Sequence, residues 1–303
     1  MFDAHCDTLL KISRSGEMEV NDFDVSFEKL SLYGKAMQIF AVFNDGNLRV
    51  NDIIGLIHKL KSECKKSKYA KFCVSFDDIE SNEDRVSALA SIEGVGNTPD
   101  FLCSNIKEFY DNGIRILSLT WNNDNTLCGG IGENKKGLTE LGKDVLKEIC
   151  RLGMVLDVSH ISDIGFWQSM EMKEINIMAT HSNSRAVCPT LRNLTDEQFV
   201  AIKNRGGVVG INTYPLFVNG KETADVYDLI HHIEHFYSLG GEKNICLGAD
   251  FDGIDFRMSD INSCEKMYVL ADELAKMKYS DLQIRGILCE NLMNFYKKMN
   301  FSV

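Results

Sequence analysis

Eight short apolar runs, at residues 2–10, 36–43, 87–94, 114–120, 154–160, 176–181, 208–214 and 245–250, constrain this chain more than any other feature. Most are near-continuous in apolar residues, as strands buried on both faces are, and such strands pair in parallel. The segments between them read as helices. Ile53, Ile54, Ile57 and Leu60 recur at helical spacing, and Thr98-Pro99 pairs an N-cap with a first-turn proline at the head of a helix running to Asn112-Gly113. Thr139 to Leu152 is helical up to Gly153, another helix is capped near Ser162, and Thr195 with Gln198 forms a capping box. A longer helix runs from Ala224 to Leu239 and the tail is helical. Eight parallel strands alternating with helices predict an α/β fold closed as a (β/α)8 TIM barrel. With three prolines and no Gly/Ser-rich tract, residues 1–303 are expected to form one domain.

Such a barrel carries its chemistry at the C-terminal ends of its strands. In the first run a period of two puts His5 and Asp7 on one face and Cys6 on the other. Glu93 closes the third run, His160 the fifth, His181 the sixth and Asp250 the eighth. His5, Asp7, Glu93, His160 and His181 are nitrogen and oxygen ligands of the kind that hold two divalent ions, with zinc favoured by the imidazoles. Glu93 is the natural bridge: one ion on His5, Asp7 and Glu93, the other on Glu93, His160 and His181. Water held between two such ions is acidified towards neutral pH, and either ion can polarise a carbonyl. Asp250 is the candidate acid/base for passing a proton to a leaving amine, with Asp252, of the same parity, as its competitor.

Charge and cysteine usage narrow the partners. A formal net charge of -11, with no basic patch, argues against nucleic acid and against an anionic membrane surface. No secretory leader and no long apolar span is evident, and the ten cysteines are scattered singly, never as C-x-x-C. That is the pattern of reduced thiols in a cytoplasmic protein.

The blocks around these residues resemble a known family. Ile92-Glu93-Gly94 followed by Tyr110-Asp111-Asn112-Gly113-Ile114-Arg115 is similar to the signature of the membrane (renal-type) dipeptidases, a family of zinc peptidases. His5-Cys6-Asp7, Asp157-Val158-Ser159-His160, His181-Ser182-Asn183-Ser184-Arg185, Arg192-Asn193, Asn212-Thr213-Tyr214 and Gly248-Ala249-Asp250-Phe251-Asp252-Gly253 follow in the family's order over nearly the whole chain. The resemblance implies a barrel of the metal-dependent amidohydrolase type, two Zn2+ per chain, and hydrolysis of dipeptides, including those with a C-terminal D-residue. It implies Asp250 as the acid/base, Arg192 as the clamp on the substrate carboxylate, Tyr214 in the same pocket, and a homodimer. Where mammalian members have a histidine that steadies the reacting carbonyl, this chain has Trp121. Indole offers one N–H donor and no charge, so that task falls more on the metals and the substrate range shifts.

Other readings stand beside these. Another amide or lactone hydrolase on the same metals, or a non-catalytic relative, would share the ligand set. Asp157, of opposite parity to His160, is expected behind the ligands or facing a helix. His231 and His235, four apart, lack the H-E-x-x-H pattern and read as a solvated or interface face, as does His58. The cysteines read as core packing, with Cys128 undecided.

Overall fold

The computed structural model describes residues 1–14 and 16–299, so the expected unit of residues 1–303 extends beyond it at residue 15 and at 300–303. The chain opens with β1 (Phe2–Cys6), α1 (Thr8–Arg14), α2 (Phe27–Ser31), β2 (Ala36–Phe43), α3 (Val50–Lys66), β3 (Ala70–Phe72), α4 (Phe76–Glu80) and β4 (Val86–Glu93). It continues through α5 (Asn105–Asp111), β5 (Ile116–Ser118), α6 (Glu140–Arg151), β6 (Val155–Asp157), α7 (Asp163–Met170), β7 (Asn176–Met178), α8 (Asp196–Asn204), β8 (Val209–Ile211), α9 (Pro215–Val218), α10 (Val226–Ser238) and β9 (Ile245–Leu247). Then α11 (Tyr268–Lys276), α12 (Asp281–Arg285) and α13 (Asn291–Lys298) follow.

The strands pair in parallel in the order β7-β6-β5-β4-β2-β1-β9-β8. The two ends meet through a bridge between Ala179 and Val209, with Gly210 N–H on Ala179 O at 2.8 Å and Ser182 N–H on Gly210 O at 2.7 Å. This makes the eight-stranded TIM barrel expected of the apolar runs. Glycine is required at the seam: a Cβ on either Gly210 or Gly248 would overlap the Thr180 carbonyl oxygen.

Helix starts follow their caps. Thr139, Ser162 and Thr195 each accept a backbone N–H from the first turn, and Thr195 with Gln198 completes the expected capping box. The helix expected at Thr98-Pro99 begins at Asn105 instead, because the Thr98 hydroxyl accepts from Asn44 Nδ2 at 2.9 Å and residues 98–104 run as turns. β3 was not anticipated. It is three residues long with a lysine in the middle, and it borders the lower half of β4, while β5 borders the upper half at Ser91 and Ile92.

Two apolar clusters divide the core. The larger packs the outer faces of the strands against the helices. The smaller fills the barrel floor, where Met37, Ile39, Leu89, Ile116, Val155, Met178 and Cys246 meet Leu292, Phe295 and Tyr296 of α13. Phe2 and Ala4 join this floor, and a register shift between Asp3 and Cys6 then turns β1. The Asp3 carboxylate bridges the irregularity by accepting N–H from His5 at 2.9 Å and from Ala249 at 3.2 Å. An apolar floor below and a polar mouth above set the site at the C-terminal ends of the strands.

Candidate active site

His5, Asp7, Glu93, His160 and His181 come together above the floor, all buried. Glu93 stands between two histidine groups. Its Oε2 is 3.6 Å from His5 Nε2, and its Oε1 is 2.7 Å from His160 Nε2 and 3.6 Å from His181 Nε2. His5 Nε2 lies 3.5 Å from Asp7 Oδ2 and 3.8 Å from Asp250 Oδ1. The His5 and His181 rings stack at 3.7 Å. Two overlapping sets, His5-Glu93-His181 and His5-Asp7-Asp250, each bring ligand atoms within 4.8 Å of one another.

The outer ring nitrogens fix the tautomers. His160 Nδ1 is 3.0 Å from Asn122 Oδ1, an acceptor, so Nδ1 carries the proton and Nε2 is bare. Thr180 Oγ1 donates to Asp157 Oδ2 at 2.6 Å and so accepts from His181 Nδ1 at 2.7 Å, which leaves His181 Nε2 bare as well. Asp157 also accepts N–H and hydroxyl bonds from Ser159 and the N–H of Thr180, so it braces His181 from behind, the first of its two expected positions. The two bare nitrogens face each other at 3.0 Å. His5 Nε2 and Asp7 Oδ1 are buried with no hydrogen-bond partner among the described residues. Buried nitrogen and oxygen atoms left without partners and gathered around carboxylates are what a divalent cation requires, so this donor set fits a metal.

The electrostatics agree. Burial opposes charge on His5, but Asp7, Glu93 and Asp250 prevail and raise its pKa to about 10. Burial holds His160 and His181 far below the ordinary imidazole range, with the positive charges of Arg192 and His5 adding to the effect. Burial likewise lifts Glu93 well above the usual carboxylate range.

Asp250 follows β9 in a left-handed turn, φ 65°, with Oδ2 accepting from Asn212 Nδ2 at 2.9 Å. Burial raises it to about 7, against the pull of His5. Asp252, its competitor, is engaged elsewhere: its carboxylate accepts from Thr8 Oγ1 at 2.6 Å, Lys11 Nζ at 3.0 Å, and the N–H groups of Asp24 and Val25. It lies outside the pocket lining. Gly253 completes the turn, where a Cβ would overlap Asp7 Oδ2.

A cavity of about 250 Å³ opens over these groups, with Trp121 and Tyr214 among its walls. Trp121 meets Phe43 edge to face at 5.2 Å and tilts over His160 at 6.4 Å. Arg192 stands behind the lining, its guanidinium 5.6 Å from the Phe217 ring. Its two terminal nitrogens donate to Ser182 Oγ at 2.9 Å and His181 O at 3.1 Å, and its buried Nε has no hydrogen-bond partner among the described residues.

The remaining histidines lie away from the cavity. His231 is exposed, His235 pairs with Asp196 at 2.7 Å, and His58 meets Asn112 at 2.8 Å. Sequence reasoning missed Thr180, Asn122 and Asn212, whose hydroxyl and amides orient the ring nitrogens and Asp250. Thr180 and Asn122 carried no signal beyond adjacency to chemistry-bearing residues, whereas Asn212 stands in one of the blocks of the resemblance but had no role assigned.

Comparison with known proteins extends this geometry. The family described as membrane dipeptidase, peptidase family M19, matches residues 1–302. An uncharacterized Klebsiella pneumoniae protein is 33% identical over 244 residues, covering 76% of this chain and 89% of that one. Human dipeptidase 3 is 27% identical over 253 residues, covering 81% of this chain and 51% of its own, so the chain spans about half the length of that relative. A metallopeptidase from Rhodobacter sphaeroides, solved with a phosphinate mimic of the dipeptide L-Ala-D-Ala, shares the fold with a TM-score of 0.88 at 22% identity over 98% of each chain. By the family match over nearly its whole length, this chain belongs to the membrane dipeptidases of peptidase family M19, and with them to the metal-dependent hydrolases.

Proposed function

We propose that the chain is a dipeptidase working with two zinc ions, one held by His5, Asp7 and Glu93 and the other by Glu93, His160 and His181. The observation that carries this reading is the pair of unprotonated Nε2 atoms of His160 and His181, 3.0 Å apart beside Glu93 Oε1. Two lone pairs at that distance repel each other, and a bound cation held by these residues would relieve that repulsion. Bound there, the ions supply Lewis acidity towards the scissile carbonyl and lower the pKa of the attacking water.

The chain's own groups do the rest. Asp250, restrained through Oδ2 by Asn212, keeps Oδ1 turned to the ligand cluster; it accepts the proton of the attacking water and returns it to the leaving amine. Arg192 is the candidate clamp on the substrate carboxylate: its guanidinium lies just behind the cavity wall beside Phe217, and its Nε–H has no hydrogen-bond partner among the described residues. Tyr214 and Trp121 shape the walls, and the Trp121 N–H is the one polar group that side chain offers the reacting carbonyl. Substrates with a C-terminal D-residue belong to this reading, as the ligand of the Rhodobacter sphaeroides relative suggests. So does a cytoplasmic location: all ten cysteines are free, and no helix among the described residues is long and apolar enough to cross a membrane. A homodimer completes the proposal.

The test is to count metal per chain and assay L,L and L,D dipeptides on the same sample. Two zinc ions with turnover is the expected result, and a fully metal-loaded protein that cleaves no dipeptide overturns it. A second reading, another amide or lactone hydrolase, is favoured by one observation: Arg192 stands outside the cavity lining, with one N–H of each terminal nitrogen donated to Ser182 and His181. Unchanged turnover in Arg192→Ala would select it.

A further inference from the structure

The walls of the cavity differ in a way the proposed reaction does not use. On one side stand Leu10, Phe43 and Trp121, all carbon surface but for the indole N–H. On the other, built by the loops after β8 and β9, stand Tyr214 and Ile254, with Asp255, a lining residue that is itself exposed to solvent, beside them. Asp255 is exposed, and no hydrogen bond or ion pair engages it among the described residues. The basic side chain two residues on, Arg257, is turned to Asp24, with Nε 2.9 Å from both carboxylate oxygens. Among the described residues no lysine or arginine lines the cavity, and its other carboxylates, Asp7, Glu93 and Asp250, already have tasks as ligands or acid/base in the proposed reaction.

Resting on the dipeptidase reading, we infer that Asp255 is a specificity residue that directs the pocket to dipeptides whose C-terminal residue carries a cationic side chain. Asp250 and Asp255 share one loop. The wall holding the group that protonates the leaving amine is therefore the wall beside the leaving, C-terminal residue. A lysine or arginine stem has the apolar length to lie along Tyr214 and Ile254 while its charged head stays in water beside Asp255. The general negative charge of the chain attracts any cation, but it acts at long range and is not altered much by one residue. Asp255 acts locally.

The pair would be solvent-exposed, so the effect is modest, about two- to five-fold in kcat/KM at low salt. The experiment compares alanyl-lysine, alanyl-methionine and alanyl-glutamate, each with an L or D second residue, on the zinc-loaded wild type, Asp255→Asn and Asp255→Lys. Dissociation constants for the same dipeptides are measured by calorimetry with Asp250→Asn added to each protein, so that the ligand is not consumed. The expected result is a lysine-over-methionine ratio that falls towards one in Asp255→Asn and under high salt, and a glutamate preference in Asp255→Lys. Equal ratios in wild type and Asp255→Asn, in both turnover and binding, overturn the inference. If no dipeptide is cleaved, the dipeptidase reading fails, and the binding ratios still decide the role of Asp255.

Discussion

Asp250 and Asp252 stand two residues apart in one turn, both in left-handed backbone conformations, φ 65° and 69°, that asparagine and aspartate tolerate better than most residues. Their surroundings divide their roles. Asp250 keeps one oxygen turned to the ligand cluster, whereas Asp252 is covered by Thr8, Lys11 and two backbone N–H groups that tie α1 and the segment before α2 to the loop after β9. Asp250→Asn should therefore lower kcat by about 10²- to 10⁴-fold with metal content and melting temperature retained. Asp252→Asn replaces a charge-accepting oxygen with a donor facing donors and should lower stability by roughly 2–3 kcal/mol, read as a drop of several degrees in melting temperature. The reverse pattern, turnover lost in the second variant and kept in the first, would exchange the assignments. Alternation could not separate the two in the sequence because both lie beyond the end of β9 at Leu247, where a period of two no longer holds. The five ligand candidates were legible for the opposite reason: few residue types bind such metals, and a barrel gathers its strand ends. Thr180 and Asn122 were not, since a hydroxyl or an amide is common everywhere and its value lies in the direction it gives one ring nitrogen.

At the scale of elements, the seam between β7 and β8 serves both fold and site. Gly210 and Gly248 let the backbone close on the Thr180 carbonyl, and the Thr180 side chain then links Asp157 to His181. Thr180→Val keeps the shape but leaves Asp157 Oδ2 without its donor and His181 Nδ1 without its acceptor. Metal affinity, measured with zinc as the probe by competition with a chromophoric chelator, should fall about 10- to 100-fold, and Thr180→Ser should restore it. Equal affinity in the valine variant would mean that the Asp157 brace does not orient His181. The strand-helix alternation that closes this seam was readable from apolar runs because both faces of a barrel strand are buried. β3 was not readable, being too short to show a period, and the start of α5 was displaced because Thr98 bonds Asn44 in another part of the chain rather than its own first turn.

For the whole molecule, two effects compete as the pH falls from 7. The net charge of -11 shrinks towards the isoelectric point near 5.2, and relief of self-repulsion favours the compact state. His232 opposes it. It sits fully buried on α10, its Nδ1 accepting from Ser184 N–H at 3.1 Å and its Nε2–H donating to Val218 O at 2.7 Å, so it is neutral in the fold and joins α10 to the segments after β7 and in α9. Burial lowers its pKa from 6.5 to about 4, only partly offset by the bond to Val218. Between those values the unfolded chain takes up a proton that the native chain does not. The stability held in the neutral ring is thus complete above about pH 6.5, falls as the pH drops, and is gone near pH 4. A shift of that size corresponds to about 3 kcal/mol, more than the diffuse relief of surface charge supplies when most exposed pairs contribute under about 1 kcal/mol each. Melting temperature should therefore decline from pH 7 to 5 in the metal-loaded wild type. His232→Gln should start lower, because its bonds are less well placed, and decline less steeply. Parallel declines in the two proteins would move the acid sensitivity from His232 to the ligand cluster, where protons compete with the metal for the same imidazoles and carboxylates.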